Sequence, residues 1–113
     1  MKLKQFAFLM IAGALASITS TFAVQEQIRL VYTYVFQNIG AQTLTVDTND
    51  EVRQIVADII AQANIDQPGL QVTNIYAPFS GGIWHLYSDQ DIQSRAFEAL
   101  DLNPNPRIYV LLK

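Results

Sequence analysis

Between residues 52 and 63 the apolar side chains Val52, Ile55, Val56, Ile59, Ile60 and Ala63 recur at intervals of three and four, with Arg53, Gln54, Asp58 and Gln62 between them. That spacing lays one apolar stripe along a helix and leaves the opposite face wet. A helix of this kind must bury its stripe against another layer. The spacing predicts a helix over 50–63. Asp47, Thr48, Asn49 and Asp50 are N-cap residue types standing before it, and Asp50 and Glu51 are expected in its first turn, where the helix dipole favours acid. Pro68 and Gly69 mark the loop that follows.

The other layer is expected to be a sheet. Residues 28–36 alternate, with Ile28, Leu30, Tyr32, Tyr34 and Phe36 on one apolar face, and 43–47 alternate again with Leu44 and Val46 inward. Asn38, Gly40 and Ala41 lie between them, and Asn and Gly tolerate positive φ, so a hairpin turning at 38–41 is expected. A second hairpin runs from Leu70 to Phe79, breaks at Ser80, Gly81 and Gly82, and returns through 83–87. Ser88 or Asp89 can cap a short helix over about 90–100 that buries Ile92, Ala96, Phe97 and Leu100. Residues 103–106 stop it, and 107–112 form the last strand with Ile108, Val110 and Leu112 inward. The predicted order is ββ-α-ββ-(short α)-β, one α+β domain.

The start of the chain has a different character. Lys2 and Lys4 precede an apolar run over 6–16, and small and polar residues follow to Ala23. A positive start, a short apolar middle and a small-residue end are the parts of a secretory signal peptide. Cleavage is placed after Ala23, with Ala14-Leu15-Ala16 as a second small-x-small pattern. The competing reading is a retained anchor, but the apolar part is about 11–13 residues against the roughly 20 that span a bilayer. Residues 1–23 are therefore read as the signal and 24–113 as the domain, exported to the periplasm or secreted, with no stable membrane span after cleavage. The remaining chain carries five basic and ten acidic groups, a formal charge of −5. That balance argues against a nucleic-acid partner. It has no Cys, so stability rests on the core alone.

The element order, together with Leu44-Thr45-Val46, the Asp47–Asp50 cluster, Val52, Ile55 and Ile59 on the helix, and Phe97, Leu102, Ile108 and Val110 near the end, resembles the ubiquitin-like β-grasp superfamily. The resemblance covers residues 27–113. It implies a mixed sheet of about five strands on one main helix, an inward Ile65 after that helix, and parallel first and last strands at the sheet centre. Two departures stand out. The chain reads Leu111-Leu112-Lys113 where ubiquitin carries Gly-Gly, and the stretch 79–93 is longer than ubiquitin's. The alternative fold is a ferredoxin-like α/β sandwich with an extra N-terminal strand.

Chemical candidates are few. His85, the single His, is flanked by Trp84 and Leu86 on a strand and reads as an outward or hydrogen-bonded side chain. Ser80 before two glycines lacks the Gly-x-Ser-x-Gly elbow and reads as a turn. Asp89, Asp91 and Asp101 do not complete a calcium loop, and there is no Cys/His set for zinc. No cofactor or metal is expected. Tyr32, Tyr34 and Phe36 read as core packing.

The feature that points to function is a second apolar face. If Ile28, Leu30 and Tyr32 face the helix, Val31 and Val35 face outward; on the last strand Tyr109 and Leu111 do the same, beside Arg29 and Arg107. The resemblance implies that this open face takes partners. Val31, Val35, Ile75, Tyr109 and Leu111 are the candidate protein-binding residues. The expectation is an exported, non-catalytic module acting by protein–protein contact. The alternatives are a self-associating envelope or structural subunit and, third, a small hydrolase built on Ser80, His85 and Asp89.

Overall fold

The computed structural model describes residues 24–102 and 105–113. The predicted signal over 1–23 lies outside them. Strands β1 (Gln25–Tyr34) and β2 (Gln37–Asp47) form a hairpin, followed by helix α1 (Val52–Asp66). A second hairpin, β3 (Val72–Phe79) and β4 (Gly82–His85), leads to a one-turn helix α2 (Gln90–Gln93), a 3₁₀ turn (Phe97–Leu100) and β5 (Arg107–Leu112). The five strands make one sheet in the order β2-β1-β5-β3-β4. Its central pair, β1 and β5, is parallel and the other pairs are antiparallel. A mixed sheet with first and last strands parallel at its centre, packed on one main helix, is the ubiquitin-like β-grasp. The ferredoxin-like alternative falls on that order.

The stripe on α1 is buried as its spacing predicts: Val52, Ile55, Val56, Ile59 and Ala63 pack on Ile28, Leu30 and Tyr32 of β1, Ile75 and Ala77 of β3, and Ile108, Val110 and Leu112 of β5. Leu86, Ile92, Phe97 and Leu100 close one end of this core.

The start of α1 differs from expectation. Asp50 and Glu51 precede the helix, and the N-cap Glu51 makes no side-chain capping bond. A neighbouring stretch of backbone does the capping instead. Val52 N–H donates to the Arg95 carbonyl at 2.8 Å, while Phe97 and Glu98 N–H donate to the carbonyls of Asp50 and Thr48. Asp47 spends its carboxylate on the Asn49 N–H. At the far end the helix runs three residues past 63, so Ile65 is not in a loop. It lies two residues from the buried Ala63, about 200° round the axis, and is 72% exposed rather than inward.

The first hairpin's turn also differs from expectation, whereas the second lies where the sequence puts it. The first hairpin turns at Val35 and Phe36, both left-handed with φ of 51° and 64°, flanked by the Tyr34–Gln37 pair. Phe36 therefore leaves the inward face and is fully exposed, while Tyr34, paired with Leu112 at the end of β1, keeps its side of the sheet but is exposed too. Asn38 and Gly40 serve a β-bulge: Tyr32 pairs with Gly40 and Thr33 with Asn38, leaving Ile39 as the extra residue. In the second hairpin Ser80 and Gly81 form the turn. The short helix expected over 90–100 divides after one turn, capped by the Asp89 carboxylate through the N–H groups of Asp91 and Ile92. Ala96 is extended and bridges to Glu51, which is what separates α2 from the 3₁₀ turn and leaves Ala96 only half-buried.

Candidate binding face

Helix α1 covers one face of the sheet, and the side chains that alternate away from it lie on the other. Along β1 these are Arg29, Val31 and Thr33; along β5, Arg107, Tyr109 and Leu111. The parallel register sets them in three rows: Arg29 beside Arg107, Val31 beside Tyr109, Thr33 beside Leu111. Antiparallel pairing adds Tyr76 of β3 beside Tyr109, and His85 of β4 beside Tyr76. The rings of Tyr76 and Tyr109 stack with centroids 5.2 Å apart and planes within 8°. Such a pair is held at its geometry by ring–ring attraction as well as by the strands beneath.

An open groove of about 540 Å³ runs over this surface, floored by Tyr76, Tyr109, Leu111 and Thr33 and walled by the turn residues Val35 and Phe36. Phe36 is fully exposed at the rim. Past Tyr109 and Asn38 the groove continues into a shallower hollow edged by Arg29, Val31, Ala41 and Arg107. The wall is held by a turn at unusual cost, since positive φ is a genuine outlier for a β-branched residue such as Val35 and two-residue turns of this hand favour Asn-Gly. Non-glycine residues in this region cluster where a site needs a side chain in a set place.

The predicted site residues are distributed as follows. Tyr109 and Leu111 are half-buried on the outer face. Val31 faces outward but is only 8% exposed, flanked by Ala41 and Tyr109, so it is floor rather than contact surface. Val35 is on the turn, not on the strand, and reaches the face as part of the groove wall. Ile75 is a correction: it is 0% exposed and paired with Val110 inside the core. The outward residue of β3 is its neighbour Tyr76. A register shift between Val72 and Asn74 changes the parity of β3, so Val72 and Ile75 both point inward although three residues apart. Reading the alternation back from Ala77 would have found Tyr76; nothing in the sequence announces Phe36 as the tip of a turn.

The chemical candidates stay apart. A polar hollow beside His85 is lined by Ser88, Asp89, Gln90 and Asp91, without Ser80. The Asp89 carboxylate is engaged in capping α2. Asp101 lines a different hollow, with Glu98 and Thr48. Among the described residues no three His, Asp or Glu side chains are grouped to hold a metal ion, and no helix there is long and apolar enough to cross a membrane.

The chain matches no protein-family model and no curated protein. Among solved structures it is similar to the ubiquitin-like domain of an Arabidopsis thaliana protein, determined by NMR, at 20% identity and a TM-score of 0.49, over 90% of this chain and 93% of that one.

Proposed function

We propose that residues 24–113 form a small non-catalytic module that binds another protein through the outer face of its sheet. The observation that carries this reading is the groove over the stacked Tyr76–Tyr109 pair, with Leu111 in its floor and the strained Val35–Phe36 turn as its wall. Aromatic side chains set in a partly desolvated groove are the usual anchors of protein interfaces. The reading includes export to the periplasm or medium, supported by the residue pattern of 1–23. Affinity capture from the native envelope and medium tests it. The parent chain is expected to recover a partner that Leu111→Asp does not, because the new carboxylate would be buried unpaired. Leu111 is half-buried, so the variant should lose about 1 kcal/mol of stability and remain folded. Equal recovery by a folded Leu111→Asp chain overturns the proposal.

Self-association is the second reading, and one observation favours it. The sheet ends on β2, eleven residues long and uncharged up to Asp47, without proline. Edge strands are usually blunted by charge, proline or brevity. Light scattering on the purified protein separates the two readings: a monomer excludes pairing through this edge.

A further inference from the structure

Arg29 and Arg107 are direct neighbours across the central parallel pair, both exposed. Adjacent strands lie about 4.8 Å apart, so the two side chains leave the sheet side by side. Like charges so placed destabilise a sheet. Nothing within the described residues offsets this, since the one ion pair there joins Arg53 to Glu51 at the start of α1. The chain has acid to spare but keeps it elsewhere. Asp50, Glu51, Asp58 and Asp66 lie on or just before α1, and Asp89, Asp91, Glu98 and Asp101 lie between β4 and β5. Asp47 is at the end of β2 with its carboxylate turned to Asn49, and Glu26 is at the start of β1. Across from Arg29 the outward residue of β2 is Thr43, and across from Val31 it is Ala41. In a domain of formal charge −5, the middle of the outer face thus presents two adjacent cations and no carboxylate.

From this charge separation, and resting on the proposed binding face, we infer that the partner contributes an extended acidic–apolar segment whose carboxylate is held between Arg29 and Arg107. The register sets the rest of the segment. Rows of side chains repeat every two residues, about 6.6 Å, so Tyr109 lies one row and Leu111 about 13 Å from the arginines. The complementary chain carries an acidic residue with apolar side chains two and four positions to one side of it, which enter the groove. Guanidinium groups suit a carboxylate because they can bind it bidentately. A nucleic acid or another polyanion fits less well, since two cations release few counterions and the rest of the domain repels it. The outer face of a second copy has no carboxylate in its middle to offer these arginines, so the acidic segment is assigned to a different protein.

Selection from a random-sequence peptide display library against the purified full chain tests this, with the Arg29→Gln/Arg107→Gln double variant and Leu111→Asp as parallel baits. Peptides enriched on the parent should carry Asp or Glu two to four positions from an apolar residue, in one consistent direction. The double variant should lose the acidic position and bind the parent's peptides roughly tenfold more weakly, as expected on losing one charge-assisted contact. Its melting temperature should be unchanged or higher, because two like charges are relieved. Enrichment of apolar residues alone, lost on Leu111→Asp, would overturn the acidic inference and leave the binding face standing. Peptides indifferent to both sets of substitutions would overturn both. Arg-dependent binding of heparin or anionic vesicles tighter than that of any selected peptide would also overturn the inference.

Discussion

Tyr32 is the largest side chain in the core, and its hydroxyl reaches the C-terminal end of α1 to donate to Asp66 Oδ2 at 2.6 Å. The amides of Gln62 and Gln42 donate to the other oxygen of the same carboxylate. Burial first, and then the Asp66 carboxylate, hold the Tyr32 phenol above its ordinary value. The Tyr32 hydroxyl and the two amides hold Asp66 below the usual carboxylate value, against a smaller opposing effect of burial. A phenol that stays protonated therefore meets a carboxylate that stays ionised, and the pair ties β1 to the helix end. Tyr32→Phe is expected to cost about 1–2 kcal/mol in urea melts at neutral pH, as for a hydrogen bond to a charged group. Because the Asp66 value is depressed on folding, this contribution is complete above the unfolded carboxyl value of about 3.9 and is lost as pH falls through the lower folded value. The gap between the parent and Tyr32→Phe should close in that acid window; a gap that persists there would show that the loss is one of packing. The sequence marks Tyr32 as inward through its place in the alternation, but a contact spanning 34 residues leaves no local trace.

At the scale of the element, packing was legible and punctuation was not. The stripe on α1 and the inward sides of β1 and β5 follow from periodicity, and Ile55→Ala should cost about 2–5 kcal/mol by thermal melting, the range for truncating a buried aliphatic side chain. The first turn was missed because Val35 and Phe36 continue a β-forming alternation, whereas Asn38 and Gly40 look like turn residues and are spent on a bulge. The parity of β3 was lost to a shift of the same kind. Bulges are one-residue events that tertiary packing decides, and each transfers every later side chain to the other face. The cap of α1 departs from the sequence pattern for a related reason, since backbone from 95–98 replaces the side-chain cap that the residue types of Asp47–Asp50 predict. The strained turn carries its own prediction. Val35→Asn with Phe36→Gly installs a favoured two-residue turn and should raise stability by about 1–2 kcal/mol. It also removes the groove wall, so partner capture should weaken while the melting temperature rises; full capture by the stabilised variant would detach the turn from the binding function.

For the molecule as a whole, the β-grasp arrangement puts two strands from opposite ends of the chain side by side and thereby creates the outer face. Arg29, Tyr109 and Leu111 were legible as members of that face because the resemblance brought β1 and β5 together, and Tyr76 was not, since its orientation depends on the bulge in β3. The same arrangement leaves Ser80 on one hairpin turn and Asp89 engaged at a helix start. Ser80→Ala is accordingly expected to leave partner binding within about twofold, a difference of roughly 0.4 kcal/mol. Loss of activity in the folded variant would restore the hydrolase alternative. The proposed export predicts a secreted or periplasmic protein whose first residue by mass spectrometry is Val24; an intact Met1 in the membrane fraction would support the anchor instead. The most direct test of binding through the sheet is NMR mapping of the purified domain as its captured partner is added. Signals of Thr33, Phe36, Tyr76, Tyr109 and Leu111 should shift or broaden, while those of the exposed helix residues Gln54 and Ile65 stay fixed. Shifts confined to α1, with the sheet signals unmoved, would contradict the account.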